Sequence, residues 1–209
     1  MPELLEVWGV ETAANVQKVI WCLRELGRPY VARGVGFDGG TPRDAVYLRV
    51  RGDAASPVLR DGAFVLWEGN AIVRYLVERY GDGSLYPRDL AARADIDRWM
   101  DYQLSTIRPP LHALLRASLG APDVARQARN LAAAMEPLEA TLATQPYLAG
   151  ATFTIADIPT GINAWRWQIL DVERPPAPAI DAWIERLQAR PAFAAIRPPA
   201  DTSVALRER

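Results

Sequence analysis

Cysteine is nearly absent from this sequence, with Cys22 as its single example among 209 residues. One thiol permits no internal disulfide and no C-x-x-C redox pair. Cys22 lies between Trp21 and Leu23 in a helical pattern, where a buried, inert thiol is more common than a nucleophile. We therefore expect a structural cysteine and a chain suited to a reducing compartment.

Histidine is equally scarce, because His112 is the only one. Ser-His-Asp and Cys-His centres need a histidine base held beside a nucleophile, so such a centre is not expected here. The sequence also has no cluster of metal-ligand side chains, no internal repeat and no low-complexity tract. We interpret His112 as a packing or surface residue and expect no metal.

Neither sign of charge dominates, and the formal net charge is −1. Binding to nucleic acid or to an anionic membrane depends on a basic surface, which this balance does not favour. No apolar segment approaches the length of a membrane span, and Met1-Pro2-Glu3 has neither the basic nor the apolar part of a signal peptide. We expect a cytoplasmic protein without nucleic-acid or membrane partners.

Apolar residues, in contrast, make up 50% of the chain and include 7 tryptophans. A chain of this length and composition can build one large or two small domains with real cores. The stretch from Gly81 to Asp89 contains Gly83 and Pro87, which are typical of a linker. We predict one domain over residues 1–81, a linker over 82–89 and a second domain over 90–209.

A hairpin followed directly by a helix is predicted for residues 58–80. Asp61-Gly62 separates two short apolar runs, Val58-Leu59 and Phe64-Val65-Leu66, and this pair favours the positive φ angles of a tight turn. From Glu68 the apolar residues repeat at helical spacing, and Gly81 stands where a left-handed helix end is expected.

The elements predicted before this hairpin complete the order β-α-β-α-β-β-α. They are a strand over residues 4–8, a helix over 14–26 ended by Gly27, a strand over 29–35, a mobile glycine-rich loop over 34–41 and a short helix near 43–50. The first domain is therefore predicted to be α/β.

The second half of the sequence is predicted to be helical throughout. An apolar stripe over residues 96–107 must bend or end at Pro109-Pro110, and one over 124–142 should kink at Pro137. Thr154 and Asp157 form a variant of the capping box, with Phe153 and Ile158 at the staple positions, so a helix is predicted from Thr154 toward Leu170. In that register Pro159 costs a hydrogen bond without an evident reason. A last long helix is predicted over 180–187, followed by a short segment over 191–196.

The junction between hairpin and helix has the chemistry of an anion site. The first amides of a helix lack intrahelical partners and carry the positive end of the helix dipole. Gly69 and Asn70 could offer these amides to a carboxylate while Glu68 takes a neighbouring ammonium, so the zwitterionic end of an amino acid fits. The alternative is that Glu68 only favours the helix dipole.

Several ordered motifs resemble bacterial cytosolic glutathione S-transferases. These motifs are Trp8-Gly9, Asn15-Val16-Gln17-Lys18-Val19, Ser56-Pro57-Val58-Leu59, residues 67–76, Tyr147-Leu148-Ala149-Gly150, residues 153–158 and Arg190-Pro191-Ala192-Phe193. The resemblance spans nearly the whole chain. It implies a thioredoxin-like domain followed by an all-helical domain, and a cytoplasmic homodimer that detoxifies small electrophiles.

The resemblance also implies where glutathione lies. The γ-glutamyl end would sit at Glu68, Gly69 and Asn70, and the cysteinyl backbone would pair with the main chain at Ser56, turned outward by a cis-Pro57. The thiol would point to the N-terminus of the first helix, where amides and a hydroxyl lower its pKa so that thiolate attacks an electrophile.

The chain departs from the close-relative pattern at three positions. Ala13 replaces the serine that supplies the hydroxyl, Gly69 replaces a serine after Glu68, and Val10 stands where arginine is usual. Each lost hydrogen bond to a charged group costs about 1.5–3 kcal/mol. Thr12 or Asn15 could replace the lost donor or cap the first helix instead, and the helix amides remain in either case.

The electrophile pocket implied by the resemblance lies between the domains. Its candidate residues are Tyr102, Gln103, Arg108, Trp165 and Trp167, although aromatic residues at such positions are more often core. We predict a glutathione transferase that conjugates, reduces or dehalogenates a small electrophile. The alternatives are a glutathione-binding protein of the same fold with little catalysis, and a partner-binding module without a thiol ligand.

Overall fold

The computed structural model describes residues 4–34, 37–38, 41–42, 57–117 and 123–196. Internal contacts divide the chain between Asp82 and Gly83 into an N-terminal unit and a C-terminal unit. The predicted linker over residues 82–89 stays a prediction. The predicted helix near residues 43–50 and the site residue Ser56 lie outside the described residues.

The N-terminal unit alternates short strands with two described helices. Its elements are β1 (Leu5–Trp8), α1 (Ala14–Glu25), β2 (Tyr30–Arg33), β3 (Phe37–Asp38), β4 (Thr41–Pro42), β5 (Val58–Asp61), β6 (Phe64–Trp67) and α2 (Gly69–Tyr80). β3 and β4 pair with each other in the segment predicted as a loop, so that prediction was wrong at these residues.

The main sheet has four strands in the order β2-β1-β5-β6. β1 pairs parallel with β2, whereas β1 with β5 and β5 with β6 are antiparallel. Leu5 and Val7 of the central strand are buried, as are α1 from Val16 to Leu23 and Ile72, Val73 and Leu76 of α2. This mixed sheet with packed helices confirms the predicted thioredoxin-like α/β domain.

The predicted hairpin is confirmed, with its turn shifted by one residue. Asp61 pairs with Phe64, so the two turn residues are Gly62 and Ala63, and Gly62 supplies the positive φ of 59°. Asp61 remains in the strand, where its carboxylate accepts hydrogen bonds from the hydroxyls of Tyr75 and Tyr80. These bonds tie the end of the hairpin to α2.

Two helix ends use glycine for different reasons. After α1, Gly27 has φ of 60° while the amides of Gly27 and Arg28 donate to the carbonyls of Arg24 and Leu23, which is a Schellman motif. The left-handed end predicted at Gly81 was wrong, because its φ is −85°. A β-carbon at Gly81 would lie 2.4 Å from the Val77 carbonyl oxygen, so close backbone approach requires glycine there.

The C-terminal unit is helical, as predicted. Its elements are α3 (Leu90–Tyr102), a π-helical segment (Gln103–Ile107), α4 (Arg108–Arg116), α5 (Val124–Leu142), α6 (Asp157–Ile169), α7 (Pro178–Gln188) and α8 (Pro191–Ala194). α5 continues through Pro137, and the kink expected there stays a prediction. None of the helices in the described part of the chain is long and apolar enough to cross a membrane.

The helical path has a widened turn directly before Pro109-Pro110. The amide of Arg108 donates to the Gln103 carbonyl, five residues earlier, and the two prolines fall in the first turn of α4. Amides in the first turn of a helix have no intrahelical acceptor, so proline is tolerated there. A π-helical segment separates α3 from α4, and α4 continues through both prolines to Arg116. The helix therefore does not end at the prolines, and the expected bend stays a prediction.

α6 begins at Asp157, three residues later than predicted. Pro159 therefore lies in the first turn, where its missing amide removes no helical hydrogen bond. The Asp157 carboxylate still reaches back to the Thr154 amide at 2.9 Å, and it also accepts from the Leu148 amide and the Trp183 indole, both at 3.0 Å. One buried carboxylate thus joins the start of α6 to the preceding loop and to α7.

Candidate active site

The N-terminus of α1 carries no side-chain cap. Ala13 is the N-cap residue, and its carbonyl accepts from the amides of Val16 and Gln17, both at 2.9 Å. The first turn contains no acidic residue. The amides of Ala14 and Asn15 precede the first hydrogen-bonded amide of the helix, so the positive end of α1 remains available to an anion.

Thr12 and Asn15, the two predicted substitutes for the missing hydroxyl, flank this N-cap differently. Thr12 is exposed, whereas Asn15 is half-buried in the first turn of α1. Neither caps the helix, so that alternative was wrong. The Asn15 carboxamide forms no hydrogen bond with the described residues, which leaves it able to contact a ligand at the helix end.

Glu68 occupies the N-cap position of α2 with φ of 74° and ψ of 112°. It is the only non-glycine residue with positive φ in the described part of the chain. Holding a non-glycine residue in this backbone conformation costs about 1–3 kcal/mol of folding free energy, and strain of this kind is found mostly at functional sites. Its side chain makes no capping hydrogen bond, and the residue is exposed. The simple role of a helix cap therefore does not explain Glu68.

The N-termini of α1 and α2 meet at Gly69. A β-carbon at Gly69 would lie 3.1 Å from the Asn15 carbonyl oxygen and 3.8 Å from the Asn15 α-carbon. Backbone of one helix thus fills the space that a side chain at residue 69 would need. The structure brings Ala13, Asn15, Glu68 and Gly69 into one region, although sequence separates the two pairs by more than fifty residues.

Lys18 and Asn70 form a second link between these helices. The Lys18 side chain is buried with 1% exposure, and its Nζ donates to Asn70 Oδ1 at 3.2 Å. Sequence reasoning missed Lys18 as a site residue. The available signal was its helical spacing from Asn15 and Cys22, because residues three and four positions apart share a face of a helix.

Cys22 and His112 are the other side chains with reactive groups, and both lie at least partly inside the fold. Cys22 is fully buried, and desolvation raises the pKa of its thiol well above the usual range, so it is not a nucleophile. His112 is half-buried in α4. Among the described residues, no group of three or more histidine, cysteine, aspartate or glutamate side chains is placed to hold a metal.

The predicted electrophile-pocket residues lie in α3, the π-helical segment, α4 and α6. Tyr102 donates to the Ala134 carbonyl at 3.1 Å, and desolvation raises the pKa of its hydroxyl. Gln103 is buried at the start of the π-helical segment, and Arg108 is half-buried. Segments of this type frequently occur at functional sites.

Trp165 and Trp167 are both buried in the helical unit. The Trp165 ring packs edge-to-face on Phe193 with 6.0 Å between centroids, and the Arg174 guanidinium lies 5.3 Å from the Trp167 ring centroid. These contacts favour the alternative that both indoles belong to the core.

Two family models match the chain: the N-terminal domain of glutathione S-transferases over residues 8–84, and their C-terminal domain over residues 97–191. Glutathione S-transferase GstB of Escherichia coli strain K12 is 30% identical over 198 residues, covering 90% of this chain and 95% of the relative. Glutathione S-transferase 3 of Zea mays is 33% identical, with coverage of 90% and 91%. The chain belongs to the glutathione S-transferase family.

Solved structures agree with this membership. A theta class glutathione S-transferase from Xanthomonas axonopodis pv. citri, with glutathione bound, aligns with a TM-score of 0.85 and 36% identity. The alignment covers 96% of this chain and 99% of that structure. The predicted family and the predicted transferase activity are confirmed.

The family motif around Pro57 is only partly described. Pro57 is buried directly before β5, and Val58 pairs with both Trp8 and Trp67. The cis conformation of Pro57 and the pairing expected at Ser56 stay predictions. Val10, the third departure from the pattern of close glutathione S-transferases, is exposed, and its carbonyl accepts from the Ala13 amide at 2.9 Å.

Proposed function

We propose that this glutathione transferase binds glutathione across the adjacent N-termini of α1 and α2. The observation that carries the proposal is the contact of Asn15 with Gly69, because it joins two helix ends that lack side-chain caps. Both ends favour anions, and glutathione has a thiolate and a glutamyl carboxylate that suit them. Glu68, Gly69 and Asn70 take the glutamyl end, and the main chain at Ser56 and Pro57 takes the cysteinyl backbone.

The sulfur is activated at α1. The amides of Ala14 and Asn15 and the carboxamide of Asn15 stabilise the thiolate, with Thr12 as the further side-chain candidate. The thiolate then forms a carbon–sulfur bond with the electrophile. The bond to the leaving group breaks, the group departs with its electron pair, and the thiol proton has already passed to solvent.

The helical domain, residues 90–209, supplies the electrophile side of the reaction. Tyr102, Gln103 and Arg108 are the residues we assign to it, because they surround the π-helical segment and carry polar groups. α6, which carries the buried Trp165 and Trp167, packs against this segment. Residues 1–81 form the glutathione-binding domain, joined by residues 82–89.

A second candidate function is glutathione binding with little catalysis. It is favoured by the N-cap position of α1, where Ala13 provides a methyl group and no hydroxyl. The groups of α2 that bind glutathione do not depend on the residue at position 13. The two functions differ in whether bound glutathione is a thiolate at neutral pH.

Titration calorimetry with glutathione, followed by turnover with an aryl halide, tests the two functions. A transferase binds glutathione and releases halide in proportion to the thioether formed. Binding without halide release, repeated over several classes of electrophile, would favour the second function. Absence of glutathione binding would contradict both.

We also propose a cytoplasmic homodimer. Phe64 and Trp67 of the edge strand β6 are 47% and 48% exposed, which supports an apolar contact with a second copy. Sedimentation at micromolar concentration is expected to give twice the chain mass. A single species with the mass of one chain would count against this assembly.

A further inference from the structure

Lys18 is a buried cation at an unusual place. Its side chain is 1% exposed, and the neutral Oδ1 of Asn70 accepts from its ammonium at 3.2 Å. Removing an ammonium from water is costly, so contacts such as the one with Asn70 must hold it in place. Asn70 is the second residue of α2. The ammonium therefore lies at the beginning of this helix.

A cation at a helix N-terminus has the sign that the helix dipole disfavours. Lys18 adds its charge to the positive end of α2, whose first turn contains no acidic residue and whose N-cap residue is the exposed Glu68. The Lys18 Cδ also lies 3.5 Å from the position of a β-carbon on Gly69, so the side chain runs directly beneath the first turn. The helix dipole and the ammonium both favour an anion at this turn, whereas the Glu68 carboxylate at the N-cap favours a cation, so the zwitterionic end of an amino acid suits the pair.

The ammonium also fixes the orientation of the Asn70 carboxamide. Lysine has donors only, so Oδ1 of Asn70 must face it and Nδ2 must lie at the opposite end of the amide. Asn70 is 6% exposed, so a change of orientation would require movement inside a packed region. Lys18 thereby keeps the Nδ2 donor of Asn70 on the side of the carboxamide that faces away from the interface between α1 and α2.

We propose that Lys18 is a positioning residue for the glutamyl carboxylate of glutathione. It acts through Asn70 and through its charge, without itself reaching the solvent side of the site. The inference rests on the proposed function, since it concerns the same glutathione site. It adds that the preference for a ligand carboxylate depends on a side chain buried in α1.

The test compares two ligands, glutathione and γ-aminobutyryl-cysteinyl-glycine, which lacks only the glutamyl carboxylate. We expect the parent protein to bind glutathione at least about ten-fold more tightly, the value of one charge-assisted contact. Lys18→Met is expected to remove most of this preference and to leave affinity for the analogue within about two-fold, since a uniform loss would indicate a structural role. Lys18→Arg, which retains the charge, should retain part of the preference.

Gln17→Met is the matched control, because Gln17 is a neighbouring buried polar residue of α1 without charge. Its preference for glutathione should equal that of the parent. If Lys18→Met does not fold, Lys18→Gln decides, because it keeps a donor for the Asn70 Oδ1 and removes the charge. It should lower the carboxylate preference.

Each contrary result has a distinct meaning. An unchanged preference in Lys18→Met, or in Lys18→Gln where that variant decides, overturns the inference and leaves the proposed function intact. Equal losses for both ligands in Lys18→Met also overturn it, because Lys18 would then only support the fold. A parent protein that binds neither ligand overturns the proposed function itself, and the inference with it.

Discussion

The carbonyl oxygen of Asn15 lies 3.1 Å from the point where a β-carbon on Gly69 would stand. This distance is shorter than ordinary contact between carbon and oxygen, and the obstructing atom belongs to backbone. The missing hydroxyl at residue 69 is therefore linked to the approach of two helices. A serine at residue 69 would require the backbone at Asn15 or Gly69 to shift by a few tenths of an ångström.

Gly69→Ser is expected to destabilise the protein by about 1–3 kcal/mol, as overpacking of an interior does, and to leave glutathione affinity unimproved. Urea unfolding and titration calorimetry measure the two effects. Gly34→Ser is the control, because a β-carbon there meets no atom within 4 Å. A serine at residue 69 that strengthens glutathione binding without loss of stability would show that the helices move apart easily.

Ala13→Ser is expected to lower the pKa of bound glutathione's thiol. A hydroxyl at this N-cap can accept from a helix amide and donate to the sulfur, and each 1.4 kcal/mol of thiolate stabilisation lowers the pKa by about one unit. Ultraviolet absorbance of the thiolate against pH measures it. Asn15→Ala and Thr12→Val should raise the pKa if those side chains are donors.

The thiol of glutathione bound to the parent protein could have a pKa well below that of free glutathione, and none of the three substitutions could change it. That result would show that the α1 amides alone stabilise the thiolate. No thiolate in the parent, with thiolate in Ala13→Ser, would instead support the binding protein without catalysis.

Glu68→Gly and Glu68→Ala separate backbone strain from ligand binding. Both remove the carboxylate, so both should weaken glutathione binding, by about ten-fold or more for a charged contact. Only glycine relieves the cost of φ at 74°, so Glu68→Gly should be more stable than Glu68→Ala by about 1 kcal/mol. Equal stability of the two variants would contradict the strain, and unchanged affinity would make Glu68 structural.

Asp157 should make stability depend on pH. Burial raises the pKa of its carboxyl from 3.8 to about 6, although hydrogen bonds from Leu148, Thr154 and Trp183 oppose the shift. The native state therefore holds a proton that the unfolded chain has lost. The corresponding stability is full below about pH 4 and is lost as pH rises to about 6, with a limit of about 3 kcal/mol.

Urea unfolding at fixed chain concentration between pH 4 and pH 7 measures this dependence. Asp157→Asn should be less stable overall, because an amide nitrogen would replace one carboxylate acceptor, and its stability should lack the fall in this range. A parent protein whose stability rises with pH over the same interval would show that the hydrogen bonds outweigh desolvation.

The sequence alone predicted the elements whose signals are local. The hairpin around Gly62, the end of α1 at Gly27 and the helical second half follow from residue periodicity and from glycine and proline at element ends. The motif at Glu68-Gly69-Asn70 also marked the candidate site, because an uncapped helix start has the same chemistry in any fold. These predictions required no knowledge of what packs against each segment.

Only the tertiary structure decided the features that join distant segments. The burial of Lys18 against Asn70, the contact of Asn15 with Gly69 and the reach of Asp157 to Trp183 depend on how helices lie against each other. The late start of α6 puts Pro159 in the first turn, where it removes no helical hydrogen bond, and this start likewise depends on those contacts of Asp157. Periodicity tells which face of a helix is buried but not which residue of another element meets it, because that meeting is set by packing over the whole domain.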